Sequence, residues 1–232
     1  MNSVGMSKIG LVRQRNEDRF FIEGPICAVT DGMGGYKGGE IASTYAVDAI
    51  ENYLKKQTTF NETVLKEAIE KANTKIIDRV AQEPSLTGMG TTAVVVATDE
   101  HVLWWASVGD SRLYIFRHGS LRQITTDHSM VQELYAVGDI TKEEMISHPK
   151  RNLLTRAVGI GLTLHIDSGK ENIEPGDRIL LCTDGLTGYV RDEEIEGLLE
   201  SISDNTQAVE TLMNKVYDLG ASDNVTIVVG TV

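Results

Sequence analysis

The chain is poor in cysteine and in positive charge, and it has no long apolar run. Its two cysteines, Cys27 and Cys182, are too few for a disulfide scaffold in 232 residues. Neither belongs to a CxxC pair or a His/Cys cluster, which argues against a structural zinc site. Each sits inside an apolar, strand-like run, where a thiol serves as a small buried hydrophobe. Lysine and arginine total 22 against 34 acidic residues, and the net charge of -12 disfavours non-specific binding to nucleic acid. No apolar stretch is long enough to span a bilayer, and the N-terminus lacks a charged-then-apolar signal pattern. The expectation is a cytoplasmic protein without a membrane partner.

Two nucleotide signatures are also missing. A phosphate loop needs Gly-Lys-Ser/Thr opening a helix, whereas Lys37 is followed by Gly38 and Gly39. The dinucleotide fingerprint fails because Asp31 precedes the glycines and would repel a pyrophosphate. An ATPase or kinase is therefore disfavoured.

What is present centres on Cys27 to Glu40, CAVTDGMGGYKGGE. A buried strand runs into Asp31 and then into glycines, with a helical pattern from Gly39. Glycine lets another group approach the main chain, and an acid followed by exposed carbonyls suits a hard cation. A plain strand-to-helix turn capped by Asp31 is the alternative at this point.

The 41% hydrophobic composition supports a substantial core, and one α/β domain is the simplest division, since no linker-like tract interrupts it. Residues 2 to 10 are β-like. Ile41 to Leu54 and Glu62 to Gln82 carry apolar residues at helical spacing, and Pro84 follows the second. Strands are expected at Thr91 to Ala97, Val102 to Val108, Arg112 to Arg117 and Leu121 to Ile124, with hairpin-type links at Asp99-Glu100 and His118-Gly119. Residues 127 to 152 read as a small helical insertion over one end of the sheet. Further strands are expected at Thr163 to Asp167, Arg178 to Cys182 and Val225 to Val229, with amphipathic helices over about 191 to 201 and 205 to 218.

Repetition carries the functional reading. Thr-Asp-Gly follows a buried strand twice, at Asp31 and Asp184, and Asp110 and Asp223 stand at other strand boundaries. If the strand ends align, four carboxylates converge, and they would raise one another's pKa unless cations neutralise them.

These motifs resemble the metal-dependent protein phosphatases of the 2C type in their compact bacterial form. The matching blocks are GLVRQRNED at 10 to 18, VTDGMGGYKGGEIAS at 29 to 43, GMGTTAVV at 88 to 95, VGDSRLY at 108 to 114, CTDGLT at 182 to 187 and SDNVTIVV at 222 to 229. They span nearly the whole chain in order. The resemblance implies an α+β, four-layer αββα sandwich of two antiparallel sheets flanked by helix pairs, forming a single catalytic domain over 1 to 232 with a flap at 127 to 152. It implies that Asp31 bridges two Mn2+ or Mg2+ ions, that the Gly32 carbonyl ligates one, and that Asp184 and Asp223 hold the pair. Glu17 and Asp18 would stand behind them and order metal-bound waters. Asp110 with Asp184 would give a weaker third site that Asn152 can join, and Arg13 would bind phosphate.

The implied activity is hydrolysis of phosphoserine and phosphothreonine by a metal-activated water. The protein would be a monomer acting on phosphoproteins and opposing a bacterial Ser/Thr kinase. Two divalent ions suit that chemistry, because phosphate monoesters are among the slowest substrates to hydrolyse unaided. A catalytically silent phosphoprotein-binding module on the same fold is the rival reading, and it conflicts with the full set of matched carboxylates. Met33 departs from the histidine that eukaryotic relatives use as proton donor, which leaves metal-bound water, or His148 or His128 in the insertion, as the proton source. Tyr36 stands where many bacterial members place histidine. The flap is the expected seat of substrate selectivity.

Overall fold

The computed structural model describes residues 1–34 and 38–232; the stretch from Gly35 to Lys37, with the departure at Tyr36, lies outside the described residues. Two antiparallel sheets form its centre. The first runs in the order β1 (Asn2–Lys8), β11 (Val225–Thr231), β10 (Arg178–Cys182), β7 (Arg112–Arg117), β8 (Ser120–Gln123). The second runs β2 (Asp18–Glu23), β3 (Ile26–Met33), β5 (Ala93–Thr98), β6 (Val102–Val108), β9 (Asp167–Asn172), and the short β4 (Gly90–Thr91) pairs with β3.

Strand composition explains the layering. Central strands are apolar at nearly every position because both faces are covered. Along β5, Val94 and Val96 point between the sheets with Cys27, Val29, Leu113, Leu181 and Val228. Their neighbours Ala93, Val95 and Ala97 face outward, against α1 (Gly38–Leu54) and α2 (Glu62–Gln82). On the other side, Leu180, Cys182, Ile227 and Val229 meet the apolar faces of α6 (Asp192–Ser201) and α7 (Asn205–Asp218). The result is the expected four layers, and both cysteines are fully buried.

α2 keeps its expected bounds. Asn61 caps it by accepting the Val64 N–H at 3.0 Å. The insertion folds as α3 (Met130–Ala136) and α4 (Lys142–Ser147), the latter opened by a Thr141/Glu144 capping box.

Two expectations shift. The strand placed at Thr163 to Asp167 instead begins at Asp167, where the chain pairs with β6. Leu164 and Ile166 are apolar because they pack against the α1–α2 layer, not because they lie in a strand. The polar sequence DSGKEN of β9 fits an edge strand, and Lys170 lies over the Trp104 ring. The block from 91 to 124 is also split: β5 and β6 belong to the second sheet and β7 and β8 to the first. Gly109 to Ser111 therefore crosses between sheets, which puts Asp110 at the mouth of the gap. Among the described residues no helix is long and apolar enough to cross a membrane.

Candidate metal centre

β2 and β3 place Asp18 directly opposite Asp31 in register. The main chain at Asp31 is held by the next strands: its N–H donates to Thr92 Oγ1 at 2.9 Å, and its carbonyl accepts from Thr92 N–H and Thr91 Oγ1, both at 2.8 Å. Thr92 Oγ1 also meets Ser111 Oγ at 2.7 Å, which ties Asp31 to the crossover that carries Asp110.

From the first sheet, β10 ends at Cys182, Thr183 follows, and Asp184 opens the short helix α5 (Asp184–Thr187). Asp223 precedes β11. The glycines of the two Thr-Asp-Gly turns share a steric requirement: a Cβ on Gly32 would overlap the Gly39 carbonyl oxygen, and one on Gly185 would overlap that of Asn224. Both turns are packed backbone to backbone.

Arg13, Glu17, Asp31, Gly32, Asp110, Asn152, Asp184 and Asp223 line one cleft of about 480 Å³, together with Met33, Thr92 and Leu154. Of the expected site residues only Asp18 lies behind it, 1% exposed. Asp18 Oδ2 accepts the hydroxyls of Thr183 at 2.9 Å and Thr226 at 2.8 Å, so one carboxylate of the second sheet is held by two threonines of the first. Arg13 Nη2 donates to Asp223 Oδ2 at 2.6 Å. Thr91, Thr92, Thr183 and Thr226 all lie inside the matched sequence blocks, but nothing in the sequence gives their hydroxyls the role of holding Asp31 and Asp18.

Electrostatics set these acids apart from surface carboxylates. Burial first, then the charges of Asp18, Asp184, Asp110 and Asp223, push Asp31 well above the usual range. Asp110 is pushed up by burial and by Asp184 and Asp127, with Arg112 opposing. Asp184 rises to about 6 through burial and Asp223, despite a hydrogen bond from Asp31 and the nearby Arg112 and Arg13. Asp18 rises to about 7, burial outweighing its two hydroxyl donors. Burial lowers the Arg13 pKa, but Asp223, Asp31 and Glu17 more than reverse this and hold the guanidinium firmly charged.

The donor set fits hard divalent cations. Every candidate ligand is an oxygen. Asp184 Oδ1 and Asp18 Oδ1 are buried without a hydrogen-bond partner, and a cation would relieve the mutual repulsion that raises the four acids. Among the described residues no three such side chains close into a compact cluster; the carboxylates line a single cleft instead.

Residues 12–219 match the family model described as protein phosphatase 2C. The chain belongs to the protein phosphatase 2C family. It is 36% identical over 228 residues to the serine/threonine phosphatase stp of Listeria welshimeri, covering 94% of this chain and 90% of that one. It is 38% identical over 225 residues to the serine/threonine protein phosphatase PstP of Mycobacterium tuberculosis, covering 96% of this chain and 43% of that protein. A crystal structure of the M. tuberculosis enzyme superposes with a TM-score of 0.95 at 36% identity, over 100% of this chain and 98% of that one. A structure of the PstP catalytic domain in complex with two manganese ions superposes with a TM-score of 0.91 at 35% identity, over 98% and 96%. This phosphatase is thus an enzyme of the bacterial serine/threonine type.

The two histidines considered as proton donors do not line the cleft. His148 Nδ1 accepts the Lys150 N–H at 3.1 Å. His128 is not the solvated surface residue its polar segment suggests, being 4% exposed.

Proposed function

We propose that this phosphatase hydrolyses phosphoserine and phosphothreonine in proteins modified by a partner Ser/Thr kinase, using divalent cations in the carboxylate cleft. The observation that carries this reading is the convergence of Asp31, Asp110, Asp184 and Asp223, from both sheets and their crossover, on one water-accessible cleft beside Arg13. Asp31, the Gly32 carbonyl, Asp184 and Asp223 would hold a pair of Mn2+ or Mg2+ ions; Asp110, Asp184 and Asn152 would hold a weaker third. The manganese-bound PstP catalytic domain supports the pair. Bound there, such ions would neutralise phosphoryl charge and lower the pKa of a water nucleophile.

The chain's own groups do the rest. Arg13, its side chain 46% exposed, presents a planar fork that grips two phosphoryl oxygens and exchanges Asp223 for the incoming dianion. That grip fixes the phosphorus for in-line attack. Glu17 lines the cleft beside Arg13, and burial holds its pKa up. Asp18, fixed by Thr183 and Thr226, stands opposite Asp31 and keeps its position. Met33 lines the cleft with no exchangeable proton, so the leaving seryl or threonyl oxygen takes its proton from solvent in the cleft rather than from an imidazole. The insertion at 127 to 152 borders the cleft through Asn152 and is where a protein substrate would meet the enzyme.

The test is hydrolysis of p-nitrophenyl phosphate and of a phosphothreonine peptide, with Mn2+ and with excess chelator. Activity should require the metal, and Asp31→Ala should lower kcat at least about 100-fold, as expected for loss of a group that holds the catalytic ions. Full activity in chelator would remove this reading.

A further inference from the structure

His128 is buried, lies in a motif (Asp127-His128-Ser129) that the proposed chemistry leaves unused, and is bonded on every side. Its main-chain N–H donates to the Gly109 carbonyl at 2.9 Å, and its Nδ1 accepts the Gly109 N–H at 3.1 Å. Both polar groups of the residue preceding Asp110 are thus taken by one histidine. Because Nδ1 accepts, the ring proton sits on Nε2, which faces Asp167 Oδ2 at 3.1 Å; Arg156 Nη1, a donor only, lies 3.3 Å from the same nitrogen and in this tautomer is bonded to Asp167 instead. Arg156 Nη1 donates to the other oxygen of Asp167 at 2.9 Å. The His128 carbonyl accepts the Thr155 N–H at 2.9 Å, which joins the two stems of the insertion.

The other side of Asp110 is fastened by the preceding residue of the same stem. Arg112 donates from Nε and Nη2 to the Asp127 carboxylate, with distances of 2.7 to 3.0 Å. Gly109 has φ +100, which glycine alone adopts freely, and Thr92 packs where its Cβ would be. The crossover is therefore held from two sides, by Thr92 of the second sheet and by the insertion stem, and only the stem bonds the Gly109 main chain through a side chain.

From this geometry we infer that His128 is a positioning residue for Asp110: it reads the insertion stem with Asp167 and fixes the Gly109–Asp110 turn that aims the carboxylate into the cleft. The inference rests on the reading of Asp110 as a ligand for the weaker cation. It replaces the proton-donor role, since the imidazole's single proton is committed to Asp167. Partners of this kind typically change metal affinity 10- to 100-fold when removed.

The experiment compares the full-length wild type with His128→Asn, His128→Gln and Asp167→Asn. Asparagine places Oδ1 near the position of Nδ1 and keeps the acceptor for Gly109; glutamine places its carboxamide near Nε2 and loses it. Mn2+ binding is read by calorimetry, exchange of the Gly109 amide by hydrogen–deuterium exchange in chelator, and folding by melting temperature. The expected result is that His128→Gln weakens the lowest-affinity Mn2+ step at least about 10-fold and speeds Gly109 exchange by a similar factor. The tighter steps should hold, and His128→Asn should restore both readouts to within about threefold. Asp167→Asn, at a side chain 42% exposed, should shift both in the same direction by less. A folded His128→Gln with wild-type exchange and wild-type weak-step affinity would overturn the inference, as would equal losses in the asparagine and glutamine variants. If wild type binds no Mn2+, the metal reading falls, and the exchange arm in chelator still decides whether His128 sets the turn.

Discussion

At the residue scale, Asp18 shows how a group that never meets the cleft governs it. Its carboxylate is surrounded by protein and by other acids, and two hydroxyls do not compensate, so its pKa rises to about 7 from an ordinary 3.8. Asp184 rises to about 6 for related reasons. The folded protein therefore keeps protons that the unfolded chain would release. Between pH 4 and 7 the native state binds more protons than the unfolded one, so stability must fall as pH rises through that window and level off above it. The slope is at most about 1.4 kcal/mol per pH unit for each such group. Denaturant midpoints measured in chelator should be lower at pH 7.5 than at pH 5, and Asp18→Asn, which stays neutral, should flatten the difference. A wild type that is steadier at pH 7.5 would mean that burial does not hold these protons.

At the element scale, the helices were legible because their apolar stripes have one period, and α2 even keeps its predicted ends. β9 was not, since an edge strand reading DSGKEN has no hydrophobic signal and takes its order from pairing with β6. Nor could spacing reveal that Gly109 to Ser111 changes sheets, because a hairpin link and a crossover use the same turn residues. Arg178 is a related case. At the start of β10 it is 6% exposed, yet it donates to the Leu199 and Ile202 carbonyls at 2.7 and 2.6 Å and to Asn205 Oδ1 at 3.2 Å, with no ion pair among the described residues and Asp204 as its nearby opposite charge. It thereby satisfies the last carbonyls of α6 and ties them to the first turn of α7. Arg178→Met should cost about 2 to 4 kcal/mol, because those buried carbonyls lose their donors. Four residues along the strand from Cys182, it should leave Mn2+ affinity unchanged. Chemical denaturation beside metal titration separates the two effects, and a change in metal affinity would show that the helix pair and the cleft are coupled.

At the scale of the whole molecule, the acids of the candidate site were readable as a repeated motif, while the role of the threonines beside them was not, because a hydroxyl that caps a carboxylate looks the same in sequence as one that fills a strand. What the fold adds is that the proposed ligands come from opposite sheets: Asp31 with Asp18 behind it from one, Asp184 and Asp223 from the other, and Asp110 from the crossover. The inter-sheet core of Cys27, Val29, Leu113, Leu181 and Val228 joins the layers along their length by apolar contact. At the cleft end the sheets meet through like charges, with Arg13–Asp223 and the Asp18 hydroxyl bonds as the opposing attractions. A cation shared across that end, as proposed, would bind the folded state alone and stabilise it by mass action, by about 2.7 kcal/mol at a hundredfold excess over Kd. Chelation should therefore lower the melting temperature, and the loss should be local. Hydrogen exchange with and without chelator should show faster exchange at Asp31 to Met33, Thr183 to Leu186 and Asn224 to Thr226, with α2 and the middle of β5 unchanged. Uniform loosening would place the cation's effect in the core rather than at the mouth of the sandwich, and no change in either measurement would leave the carboxylates without a shared ion.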